Sequence, residues 1–101
     1  MTGDRYCFEF RSDLPMQEVE ASLQLAFLAT ESLHGETQVR LDAAHSLNRR
    51  KRICMIDVRS RVGRDISRIF TGFLRHEFGE NAFSVKRHQH NHQTQLQETV
   101  N

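Results

Sequence analysis

Arg64, Arg68 and Arg75 stand four and seven residues apart, on one side of any helix that spans them, with Arg61 close by. Just upstream, Arg49, Arg50, Lys51 and Arg52 form an unbroken basic run. Guanidinium groups in such a set can fork onto phosphate or carboxylate oxygens. These eight side chains are the candidate anion-binding residues, and a phosphate-bearing ligand or a nucleic acid is the partner they would fit. The competing reading is a solvated helix face whose arginines pair with Asp65 or with acidic side chains of a neighbouring helix.

The charge of the whole chain favours neither reading, because a net +1 conceals a polarity. Residues 1–48 carry −5 and residues 49–87 carry +7, counting histidine as neutral. Such asymmetry marks either a partner surface or two oppositely charged halves that interleave on folding.

Other chemistry is thinly represented. His88, His90 and His92 alternate near the C-terminus and could catch a transition metal, but a site needs a fixed scaffold and supporting contacts. His34, His45 and His76 are scattered without cysteine or carboxylate at ligand spacing. No cofactor and no resident metal is therefore expected. The spacing reveals no nucleophile–base pair, acid pair or glycine-rich phosphate loop, so no catalytic residue is assigned. Val62-Gly63-Arg64-Asp65 could present backbone N–H groups to an anion at a helix start, although one glycine is weak support. His34, beside Gly35, suits a helix C-terminus, where a cation complements the dipole.

The elements that must position these residues follow from hydrophobic periodicity. Tyr6, Phe8 and Phe10 alternate with Cys7, Glu9 and Arg11, the pattern of a strand with one apolar face. Ser12-Asp13-Leu14-Pro15 opens a helix that runs to about His34 and ends at Gly35. Gln38 to His45 alternates again, with Val39, Leu41 and Ala43 on one face and Gln38, Arg40 and Asp42 on the other, and reads as a second strand. Ile53 to Val58 is a continuous apolar run suited to a central strand. Ser60 caps a second helix with Val62, Ile66, Ile69, Phe70 and Phe73 along one stripe, and Gly79 closes it. Ala82 to Arg87 is a short final strand.

Residues 88–101 are rich in Gln, Asn, His and Thr, and are expected to form a disordered polar tail after a single domain over 1–87. The order βαββαβ resembles the ferredoxin-like superfold over roughly residues 5–87. That resemblance implies an α+β two-layer sandwich, a four-stranded antiparallel sheet with both helices on one face. It implies no site residue, since the plan hosts unrelated activities.

On that plan Tyr6, Phe8, Phe10, Val39, Leu41, Phe83 and Val85 should share the buried side with Leu23, Phe27, Ile66, Ile69 and Phe73. The opposite parity would bury Glu9, Arg11, Arg40 and Asp42 under the helices at a cost of several kcal/mol. The open sheet face would then lack the stacking aromatics with which RNA-recognition modules of this topology hold bases.

The first helix has a second apolar face. Met16, Val19, Leu23, Phe27, Thr30 and Leu33 form the stripe expected against the sheet, while Ala21, Leu25 and Leu28 lie nearly opposite. Those three are the candidate interface residues, unless a loop or the tail covers them. Cys7 and Cys54 sit in strand-like runs, where they read as small buried hydrophobes of a reducing compartment. No apolar stretch approaches the ~20 residues of a membrane span. The sequence thus points to a cytoplasmic, non-enzymatic interaction module that self-associates. The alternative is a nucleic-acid- or phosphate-binding accessory protein using the basic run and second helix.

Overall fold

A computed structural model describes residues 3–90. Strand β1 (Gly3–Phe10) leads into helix α1 (Met16–His34), a short helix α2 (Glu36–Asp42), and the hairpin of β2 (His45–Asn48) and β3 (Ile53–Asp57). Helix α3 (Arg61–Phe78), a single 3-10 turn (Glu80–Ala82) and strand β4 (Phe83–His90) follow. The four strands form one antiparallel sheet in the order β2-β3-β1-β4. With α1 and α3 packed together over it, the molecule is an α+β two-layer sandwich.

Register decides the two faces of the sheet. Phe8 stands opposite Cys54 on β3 and Val85 on β4, while Cys7 stands opposite Met55 and Lys86. Phe8, Phe10, Cys54 and Ile56 turn under the helices and are buried with Val19, Leu23, Val62, Ile66, Phe70 and Leu74. Phe70 is the hinge of this core, its ring 5.0 Å from Phe8 and 6.3 Å from Phe10. Aromatic pairs at these spacings add about 0.5–1.5 kcal/mol beyond the apolar area they bury. Tyr6, Phe27, Ile69, Phe73 and Phe83 pack against the same cluster while partly exposed.

Helix ends follow local chemistry. Ser60 caps α3 by accepting a hydrogen bond from the Gly63 N–H at 3.0 Å. Gly35 and Gly79 end α1 and α3 at φ +89° and +91°, a region side chains rarely adopt. At the start of α1 the expected side-chain cap does not form. Pro15 occupies the cap position, and Asp13 instead receives the Arg11 guanidinium at 2.7 Å.

The principal correction concerns residues 38–45. Residues 38–42 belong to α2 rather than to a strand. Ala43 leaves the helix in extended conformation, Ala43 and Ala44 join no element, and β2 begins only at His45 and runs to Asn48. Val39 and Ala43 are four residues apart, so they share a face in a helix as well as in a strand. Leu41 separates the two conformations. A strand would have put it beside Val39 in the core; the helix turns it away, 75% exposed. Pairs one turn apart, Glu36 with Arg40 and Gln38 with Asp42, line the outer side of α2. Gln38, Arg40 and Asp42 are consequently absent from the open sheet face, where β2 contributes Ser46 and Asn48.

Three further expectations change. Leu33, in the last turn of α1, is 66% exposed, beyond the packed stretch of its stripe. Val85 faces the helix side but lies on an edge strand, at the limit of helix cover, and is 41% exposed. Strand β4 continues through His90, so residues 88–90 are paired with β1. The remainder of the expected tail, 91–101, lies outside the described residues.

Candidate functional site

Three surfaces gather the polar and apolar side chains that the core does not use. The first is the outer side of α1. Met16, Val19, Ser22, Leu23, Ala26 and Thr30 are buried beneath the helix, and the Thr30 hydroxyl donates to the Ala26 carbonyl at 2.7 Å. Ala21, Leu25 and Leu28 face away from them and are exposed, the two leucines by 53% and 58%.

The second surface is the start of α3. Arg61, Arg64, Asp65 and Arg68 line an open groove of about 410 Å³. Arg64 is held at one end, its Nη1 donating to the carbonyls of Val58 at 3.2 Å and Arg59 at 3.1 Å. Asp65 is already engaged, 2.7 Å from His34 Nε2 at the end of α1. Among the described residues no carboxylate lies within ion-pair distance of Arg61, Arg64 or Arg68.

The basic residues singled out from the sequence do not form one surface. Arg49, Arg50, Lys51 and Arg52 occupy the β2–β3 turn, which adjoins the end of β1 through the Phe10 N–H to Arg52 carbonyl bond of 3.1 Å. Arg61, Arg64 and Arg68 follow the opposite end of β3. Arg49 pairs with Glu20 of α1, and Arg75 lies 3.6 Å from Glu80. Arg50 and Lys51 are exposed at the turn. Arg52 folds inward, donating to the carbonyls of Arg11 and Leu14. It closes the β1–α1 loop.

The third surface lies at one end of the open sheet face. Asp57 and Arg5 stand opposite each other on β3 and β1. Asp57 accepts hydrogen bonds from the Arg59 backbone N–H at 2.9 Å and from its guanidinium at 2.6 Å. The Arg59 hydrogen bond holds the Asp57 carboxyl below the usual carboxylate range, against the opposing effect of burial, with Arg5 contributing more weakly. A shallow hollow of about 230 Å³ lies beside them, lined also by Ala44, His45, Ser46 and Met55. Arg5 Nε is buried without a hydrogen-bond partner among the described residues. The pairing of Asp57 with Arg5 is a matter of strand register, which joins residues far apart in the chain.

The histidines are dispersed. His34 meets Asp65, and His45 packs edge-on against the Phe27 ring at 4.7 Å, where burial pushes its pKa down. His76 is exposed in the last turn of α3, and His88 is exposed in β4. Among the described residues no three potential ligands come together to hold a metal. His92 lies outside them. The hydroxyls of Thr30, Ser32, Ser60 and Thr71 donate to backbone carbonyls. No helix of the described residues is long and apolar enough to cross a membrane. Compared with known proteins, the chain matches no family model, no curated protein and no solved structure.

Proposed function

We propose that this chain is a non-enzymatic module that self-associates through the outer face of α1, on a ferredoxin-like scaffold. The scaffold reading is supported by the lateral order β2-β3-β1-β4 and by the long helices that follow β1 and β3. The observation that carries the functional reading is the exposure of Leu25 and Leu28, one turn apart on a helix whose other side is packed. Burying a leucine is worth roughly 1.5–3 kcal/mol relative to leaving it in water. Two copies related by a two-fold axis bring four leucines and two alanines into a self-complementary contact. Free, buried Cys7 and Cys54 suit a reducing, cytoplasmic setting for such a module.

The test is the solution mass of the unmutated chain beside a Leu25→Glu, Leu28→Lys double variant. The parent should scatter as a dimer or larger oligomer, and the variant as a monomer with unchanged circular dichroism. A parent that remains monomeric at high concentration removes this function.

A further inference from the structure

The geometry points to the start of α3 as a docking surface for the phosphate backbone of a nucleic acid, gripped by Arg61, Arg64 and Arg68. This goes beyond self-association and does not depend on it, because the groove lies on α3 rather than on the outer side of α1.

Among the described residues no carboxylate forms an ion pair with any of these three arginines. The first turn of α3 holds no acidic side chain, so two arginines stand at the positive end of the helix dipole, an unfavourable place for cations. The neighbouring acid, Asp65, is turned to His34. The acidic side chains of α1 that might have neutralised the row do not reach it, and Glu20 is taken by Arg49 in the distant turn. Two backbone carbonyls fix one edge of the Arg64 guanidinium and leave its Nε and Nη2 without protein partners among the described residues.

Length selects a polymer over a lone anion. The row from Arg61 to Arg68 rises about 10 Å along the helix, too long for one phosphate. A duplex carries a charge every ~1.7 Å of its axis and can meet all three forks in any register. An acidic peptide would need carboxylates at matching spacings. Contacts of this kind read no base sequence. The open sheet face also places Arg5, Cys7, Glu9, Ile53, Met55 and Asp57, with no aromatic ring on its two central strands for bases to stack on.

The test titrates the full chain into a fluorescent DNA duplex over a series of salt concentrations. Three phosphate contacts predict a log–log salt slope of about −2.7. Arg61→Ser with Arg68→Ser removes two side chains that make no hydrogen bond within the described structure, so the variant should fold normally by circular dichroism. Its slope should be shallower by about two, and its affinity at low salt should fall at least about tenfold. The proposal is overturned by an absence of binding at low salt or by a double variant that binds like the parent. It also fails if polyglutamate binds as tightly as the duplex, which would make the partner an acidic protein. Equal protection from thermal unfolding by inorganic phosphate would make the groove a small-anion site and would overturn it likewise.

Discussion

A Cβ placed on Gly63 would stand 1.8 Å from the carbonyl oxygen of Asp57. The first turn of α3 therefore rests directly on the backbone at the end of β3, and only glycine allows that approach. Contact with a main-chain carbonyl gives the neighbour no rotamer with which to move aside. Gly63→Ala should destabilise the protein by about 3 kcal/mol, the upper part of the range for overpacking. In thermal melts that corresponds to a fall of more than about 10 °C for a domain of this size.

Gly72, further along the same helix, provides the opposite case. Nothing lies within 4 Å of the position a Cβ would take. Gly72→Ala should raise stability by up to about 1 kcal/mol, through helix propensity and the lower entropy of the unfolded chain. A melt in which the two alanine variants behaved alike would refute the close packing at Gly63.

Asp57 makes stability depend on acid. Its folded carboxyl titrates below the ordinary range, chiefly through the Arg59 hydrogen bond. The unfolded chain therefore takes up its proton first as pH falls, near the ordinary aspartate value of about 3.9. The stabilisation is present above that pH and is lost as pH falls through the folded value. Urea midpoints should drop between pH 6 and pH 3 by less in Asp57→Asn than in the parent. Equal losses in the two proteins would contradict the assignment.

Arg52 has φ +59° and donates to the carbonyls of Arg11 and Leu14. Its backbone conformation favours glycine, whereas its side chain staples a loop. Arg52→Ala loses the staple and keeps the strain; Arg52→Gly loses the staple and relieves the strain. Alanine should therefore be the more destabilising by about 1 kcal/mol, measured by denaturant unfolding.

Both thiols should be inert in the folded protein. Cys54 is fully buried and burial pushes its pKa up to about 12; Cys7 is also raised, chiefly by burial. Because the thiolate is the reactive form, a thiol reagent at pH 8 should label neither residue until denaturant is added. Rapid labelling of either in native buffer would show that its strand opens locally.

Much of the molecule was written in local patterns. The alternation of Phe8 and Phe10 against Cys7 and Glu9 fixed which face of β1 is apolar, because successive side chains on a strand point to opposite sides. Helices α1 and α3 were legible from their apolar stripes and from Gly35, Ser60 and Gly79. The outward placement of Leu25 and Leu28 followed from the rotation per residue along α1. Residues 36–42 were not legible, since Val39 and Ala43 satisfy both periods and only packing shows Leu41 turned outward. The basic residues were visible as a composition, but their division was not. Whether Arg49 meets Glu20, Arg52 meets a carbonyl, or Arg61 meets no carboxylate among the described residues depends on which ends of β3 and α1 the chain brings together. Sequence determined the periodicities and the charges; the tertiary structure alone decided which charges remain unpaired, because pairing requires proximity across segments distant in the chain.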